Sequence, residues 1–336
     1  MKTYKFTDKP FEIYGIEVID PANHNFWRLP EDETAKVSDF ICGRAKTAGG
    51  GRFRFRTNTK NLKITAFVHA NGPDPCIPVT GSAGSDVMCG IGISSVYLGV
   101  ISPGCYDKTE FSLEVKLDGQ MHQITVNMPR NSRVYDYEIT VDDDAEVLAP
   151  VPYSIPGKIC FYGSSITEGG CAARTGNAYT AAVSRWLDSD YVNYGFSGNA
   201  KGEDAMADII CKRQFSAFVY DYDYNSPDAA HLEQTHERFF KRVRAAHPDL
   251  PTIMMTRPDF DAEPEECAAR REVIYKTYMN ALAAGDKNVY FLDGEQFYGV
   301  LGREMCSVDN CHPNDLGFFR IAEKVYGLLS KILKKQ

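Results

Sequence analysis

Lys158-Ile159-Cys160-Phe161-Tyr162-Gly163-Ser164-Ser165-Ile166-Thr167-Glu168-Gly169 begins as a short apolar run and passes straight into small residues. Residues 158–162 read as a strand closed by a Gly/Ser turn. The same alternation recurs downstream, with candidate strands at 191–194, 217–221, 252–255 and 288–292. Amphipathic helices are expected around 178–188, 203–213, 229–246, 265–284 and 315–333. In the last of these, Phe318, Ile321, Ala322, Val325, Leu328, Leu329 and Ile332 recur at three- and four-residue steps, which marks one buried face. Strands alternating with helices imply a parallel sheet covered on both sides. Such sheets bind ligands at the carboxyl ends of their strands, where Ser164 and Ser165 fall.

Upstream the periodicity changes. Residues 52–57, 62–68, 111–117 and 122–128 alternate apolar and polar residues, with Gly, Pro, Asn and Asp between the runs. Period two of this kind predicts half-buried antiparallel strands, and no helix is expected among them. Many short strands in one block predict a β-sandwich over 1–149. Ala149-Pro150-Val151-Pro152-Tyr153-Ser154-Ile155-Pro156-Gly157 carries three prolines and reads as a linker at 150–157, which leaves 158–336 as the second domain. A length of 336 residues suits about two domains.

Composition narrows the function. With 43% hydrophobic and 24% charged residues the chain is an ordinary globular protein, so disorder is excluded. A net charge of −8 argues against nucleic acid or an anionic membrane as partner, since both call for basic patches. No apolar run is long enough to span a bilayer, and Met1-Lys2-Thr3-Tyr4-Lys5-Phe6 has no apolar stretch behind it to make a signal peptide. The ten cysteines include no Cys-x-x-Cys pair and read as reduced thiols of a cytoplasmic protein. His231 and His236 are five apart on a predicted helix, too far round for one metal, and read as surface residues. Neither metal nor cofactor is expected, and the glycines make no nucleotide-binding motif.

Four segments fall at the ends of predicted elements. The first is the Ser164-Ser165 turn, which could equally cap a helix. The second and third are Asn193-Tyr194-Gly195-Phe196-Ser197-Gly198-Asn199 and Asp221-Tyr222-Asp223-Tyr224-Asn225-Ser226. A glycine N–H and an asparagine amide there could point at a developing oxyanion, or simply shape turns. The fourth is Asp309-Asn310-Cys311-His312-Pro313, where a carboxylate can fold back onto the imidazole to orient a general base, or to cap the final helix. Arg174 could hold a polar substrate or form a surface salt bridge. Tyr179, Tyr194, Phe196, Tyr222 and Tyr224 could stack on sugar rings or pack the core.

Together these segments resemble the four blocks of the SGNH (GDSL-like) hydrolases. The resemblance makes Ser165 the nucleophile, His312 the base and Asp309 its partner. It assigns the oxyanion hole to the backbone N–H groups of Ser165 and Gly198 and the amide of Asn225. Ser164 stands where the family usually has aspartate, and Asp223-Tyr224-Asn225-Ser226 keeps only the asparagine of its block. The family implies a flavodoxin-like three-layer α/β domain. Residues 163–179 resemble the subgroup with an N-terminal, jelly-roll-like β-sandwich, in which many members are carbohydrate esterases. The expected activity is hydrolysis of O-acetyl esters on carbohydrates through an acyl-enzyme, with an acetylated oligosaccharide or other small ester as substrate. Rival readings are an esterase for lipid or aryl esters and an inactive glycan-binding protein. Arg174 and Tyr224 are the expected substrate contacts.

Overall fold

The structure, a computed structural model, describes residues 1–334; Lys335 and Gln336, at the end of the second expected domain, lie outside the described residues. In the N-terminal part the strand Arg52–Thr57 aims Phe53 and Phe55, both fully buried, into a core shared by two antiparallel sheets. One sheet runs in the order Lys2–Lys5, Val134–Val141, Asn61–Val68, Glu110–Lys116. The other runs Val147–Leu148, Arg52–Thr57, His122–Asn127, Ser85–Cys89, Val96–Ile101, with Glu12–Tyr14 also pairing with Arg52–Thr57. This is the expected sandwich.

Three features depart from expectation. A helix, Asp39–Ala45, does interrupt the strands; Ser38 caps it, its hydroxyl accepting the Ile41 N–H at 3.2 Å. At seven residues it is too short to show a helical period in the sequence. Next, the polar alternate residues Arg52 and Arg54 are only 2% exposed, because the second domain covers that face of the sheet. Arg52 pairs with Asp190 and lies 4.3 Å over the Tyr191 ring, while Arg54 lies 3.8 Å over Tyr153. Finally, the first strand of the second domain begins at Ile155, inside the segment expected to be a linker, with a register shift before Lys158.

The second domain holds five parallel strands, β1 Ile155–Gly163, β2 Ser189–Gly195, β3 Ala217–Asp221, β4 Thr252–Met255 and β5 Val289–Leu292. Their order is β2-β1-β3-β4-β5, the flavodoxin-like arrangement, whose switch point lies at β1 and β3. The helices are α1 Ser165–Glu168, α2 Tyr179–Leu187, α3 Asp204–Cys211, α4 Ala229–Ala246, α5 Pro264–Ala283 and α6 Asp315–Leu333. Two apolar cores result, one on each face of the sheet. Phe318, Ile321, Ala322, Val325 and Leu329 of α6 enter one of them, as their spacing requires. His236 is buried rather than on the surface, stacked on Tyr220 at 4.7 Å, and burial pushes its pKa down to about 3. No helix among the described residues is long and apolar enough to cross a membrane.

Candidate active site

β1 ends in a turn that only glycine can begin. A Cβ on Gly163 would come within 2.4 Å of Thr167 Oγ1 and 2.5 Å of the Asp221 carbonyl oxygen. Ser164 then caps α1, its Oγ accepting the Ile166 N–H at 3.1 Å. That leaves Ser165 as the first helical residue, with a backbone N–H that has no intrahelical acceptor. Its Oγ meets His312 Nε2 at 2.8 Å.

The histidine is held by its own loop. Asp309 Oδ2 accepts from His312 Nδ1 at 2.8 Å, while Oδ1 accepts the backbone N–H groups of Cys311 at 3.1 Å and His312 at 2.7 Å. Burial works against the Asp309 charge, but these hydrogen bonds outweigh it and hold the carboxyl below its usual range. Asn314, next after Pro313, caps α6 through the N–H groups of Leu316 and Gly317, which fixes where the loop ends. Ser165, Asp309 and His312, 147 positions apart from first to last, therefore form one hydrogen-bonded chain. Such a chain can withdraw the serine proton to the imidazole while the carboxylate fixes the tautomer. Asp309, Cys311 and His312 also bring three potential metal-ligand atoms within 4.8 Å of one another. Burial, with the nearby Asp309 charge, pushes the Cys311 thiol up to about 11, so it is protonated and a poor ligand at neutral pH.

Gly198 and Asn225 sit in the loops after β2 and β3, on either side of β1. They meet each other: Asn225 Oδ1 accepts the Gly198 N–H at 3.1 Å, and Asn225 Nδ2 donates to the Phe196 carbonyl at 2.9 Å. The Gly198 N–H, expected to face the oxyanion freely, is thus engaged by the asparagine, across a turn in which Gly198 has φ of +71°. One hydrogen of the Asn225 amide remains uncommitted by these contacts.

The two expected substrate contacts each meet another side chain. Arg174 pairs with the fully buried Asp86 of the sandwich at 2.5 Å and lies 4.1 Å over Tyr97, so it ties the domains together. The Arg257 guanidinium covers a face of Tyr224 at 3.8 Å, leaving that face unable to receive a sugar. Tyr179, Tyr194, Phe196 and Tyr222 are core residues.

Sequence reasoning missed the other wall of the site. A cleft of about 350 Å³ beside His312, Asp309 and Ser197 is closed by Phe40, Arg44, Asp74, Ile77, Arg130 and Asn131 of the sandwich domain. Beneath it Glu168, the last residue of α1, is fully buried among Arg28 at 3.2 Å, Arg44 at 2.7 Å and Arg130 at 3.4 Å. Burial alone would raise its pKa, but the three arginines hold it down to about 2. The isolated arginines gave no signal, because nothing local in the sequence brings them together.

The family model of the GDSL-like Lipase/Acylhydrolase family matches residues 157–330, and that of the N-terminus of SGNH-hydrolase-type esterases matches residues 1–147. Among solved structures, one described as a GDSL-like lipase from Bacteroides ovatus is 25% identical, with 99% of this chain and 98% of that one covered at a TM-score of 0.86. A salicylyl-acyltransferase from a tetracycline biosynthetic pathway shares the fold at 19% identity, 98% and 97% coverage and a TM-score of 0.80. A family two carbohydrate esterase from Clostridium thermocellum, solved with cellohexaose, shares it at 15% identity, 85% and 93% coverage and a TM-score of 0.60. A search of curated proteins finds no sequence match. An α/β domain with Ser165 after its first strand and His312 before its last helix, an N-terminal sandwich and both family matches make this chain a member of the GDSL-like (SGNH-type) lipase/acylhydrolase family, an esterase of that type.

Proposed function

We propose that the protein is a serine esterase that removes O-acetyl groups from small carbohydrates. The observation that carries this reading is the 2.8 Å contact between Ser165 Oγ and His312 Nε2, beside a cleft that several charged and polar side chains line. Ser165 Oγ attacks the ester carbonyl as His312 Nε2 takes its proton, and Asp309 stabilises the imidazolium. The oxyanion receives the Ser165 N–H and the second hydrogen of Asn225 Nδ2. Collapse breaks the C–O bond to the sugar, whose oxygen takes the proton from Nε2. Water then attacks the acyl-serine and gives a proton to the same nitrogen; collapse breaks the bond to Ser165 Oγ, which takes that proton back, and releases acetic acid. No metal or cofactor enters these steps. All ten cysteines are unpaired thiols, in keeping with the reducing, cytoplasmic location we propose.

A lipid esterase would call for a deep apolar groove, whereas Arg44, Asp74, Arg130, Asn131 and Ser197 line this one. The test is release of acetate from acetylated oligosaccharides, followed by mass spectrometry, with wild type and Ser165→Ala side by side. Loss of acetyl groups only with wild type supports the reading. Turnover of 4-nitrophenyl acetate but of no acetylated sugar would leave an esterase with a different substrate, and turnover of neither would point to a binding protein.

A further inference from the structure

The floor of the cleft carries more positive charge than its fold consumes. Arg28, Arg44 and Arg130 reach it from three separate segments of the sandwich domain and meet a single carboxylate, Glu168. Three guanidinium groups against one carboxylate leave two positive charges over. Arg28 spends most of its donors on the carbonyls of Asn193, Gly195 and Arg44. Arg44 also binds Asn131 Oδ1 at 2.9 Å.

Arg130 is different. It is 4% exposed, yet its Nε and Nη1 have no hydrogen-bond acceptor among the described residues. Its one polar contact is Nη2 to Glu168 at 3.4 Å, long for an ion pair. Arg130 also lines the catalytic cleft, on the wall opposite the triad loop. A Cβ built on Gly170 would lie 3.3 Å from Arg130 Nη2 and 3.4 Å from His312 Cδ2, so guanidinium and imidazole flank one small gap. Two carboxylates border the same cleft, but Asp309 is engaged with His312, and Asp74 Oδ1 accepts the N–H groups of Cys76 and Ile77. Burial lowers the Arg130 pKa, but a guanidinium stays charged at neutral pH even so. A buried cation with unused, planar donors is costly unless an acceptor arrives, and the acceptor that fits a guanidinium fork is a carboxylate or phosphate.

We infer that the cleft selects esters carrying an anionic group close to the ester bond, a carboxylate or a phosphate, and that Arg130, supported by Arg44, is the residue that recognises it. The inference deepens the esterase reading and rests on it for the identity of the cleft. An acetylated sugar acid fits this chemistry better than a neutral acetylated sugar.

The kinetic test compares acetylated methyl glucuronoside with acetylated methyl glucoside. Wild type should prefer the charged ester by at least about 10-fold in kcat/KM, mostly through KM, and 0.5 M NaCl should erode the preference. Arg130→Gln should cost the charged ester at least about 10-fold more than the neutral one, and Arg130→Lys should restore only part of it, since a point charge replaces the fork. Equal losses on both esters, or equal rates with wild type, would overturn the inference. Binding gives a readout free of turnover and of any fault in the Arg130 variants. Ser165→Ala is titrated calorimetrically with methyl glucuronoside, methyl glucoside 6-phosphate and methyl glucoside. Tighter binding of either charged sugar supports the inference and tells carboxylate from phosphate; no preference over the neutral sugar refutes it. Anion binding without any ester hydrolysis would instead sink the esterase reading, and with it the selection of esters, while leaving anion recognition by Arg130 in place.

Discussion

Ser164 and Ser165 are chemically identical neighbours, and the backbone between β1 and α1 gives them different work. Ser164 sits outside the helix with its Oγ on the Ile166 N–H, while Ser165 sits inside it with its Oγ on His312. Ser165→Ala should therefore lower turnover about 10⁴-fold or more with an unchanged melting temperature. Ser164→Ala should keep most activity but lose about 1 kcal/mol of stability with its cap. Rates and melting curves on the same two preparations distinguish these outcomes, and comparable rate losses would mean that the nucleophile is the other serine. Asn225 calls for a finer pair, because its oxygen holds the Gly198 turn while its amide is available to the oxyanion. Asn225→Ala removes both functions, and turnover should fall about 10²–10³-fold. Asn225→Asp keeps the acceptor for the Gly198 N–H but loses both the donor to the oxyanion and the bond to the Phe196 carbonyl, so it should lose the rate at least as far, along with some thermal stability. Near-normal turnover in Asn225→Asp would reduce the residue to a turn former.

At the scale of elements, the five strands and five long helices of the second domain were legible because each is long enough to show its period and is punctuated by Gly, Pro or Asn. Helix α4 falls at the expected 229–246 and strand β3 at 217–221. The hydrogen bond between Asp309 and His312 was legible through their spacing in one loop. What was hidden depends on tertiary neighbours. The Asp39–Ala45 helix is too short to carry a period, and the arginines of Arg52–Thr57 looked solvent-facing because the covering domain is not a local property. Arg174 meets Asp86 and Tyr224 meets Arg257, partners that lie far away in sequence and gave no local signal. Asp221 is the sharpest case. It ends β3 directly behind the nucleophile turn, its carbonyl accepting the Ser164 N–H at 3.2 Å. Burial, reinforced by nearby Asp223 and only partly offset by hydrogen bonds from Thr167 and Tyr179, raises its pKa to about 7. The folded protein therefore holds this proton more tightly than the unfolded chain does. Wild-type stability should fall as pH rises from the unfolded value near 4 to about 7, by up to about 4 kcal/mol from this group, and then level off. Asp221→Asn keeps the neutral shape and removes the titration. Its stability should match wild type near pH 4 and exceed it increasingly up to pH 7 in urea denaturation series. A constant difference across that range would mean that Asp221 is ionised in the fold.

The whole molecule is organised around the fact that the hydrolase domain does not complete its own cleft. Glu168 ends the nucleophile helix, and every charge that neutralises it comes from the sandwich: Arg28 after a short strand, Arg44 on the short helix, and Arg130 between two strands. The packing leaves no room for rearrangement, since a Cβ on Gly195 would strike the Glu168 N at 2.2 Å. The second domain is thus docked through the same residue that anchors the catalytic turn, and docking, stability and activity should fail together. Glu168→Gln removes the one carboxylate that, among the described residues, contacts three buried or half-buried guanidinium groups, which is the costly way to break a buried ion pair. The variant should lose about 3–5 kcal/mol of stability and, where it still folds, activity as well. The acid response carries a second signature. Because the arginines depress Glu168 to about 2, its stabilising contribution is fully present above the unfolded value near 4.5 and fades as pH falls toward 2. Wild type should therefore lose stability steeply across that window, whereas Glu168→Gln should show a visibly flatter slope there. Calorimetry from pH 5 to 2.5 on both proteins measures the difference directly. Parallel slopes would show that Glu168 does not couple the domains electrostatically, and that the apolar and arginine–tyrosine contacts around Arg52, Arg54 and Tyr191 hold them together instead.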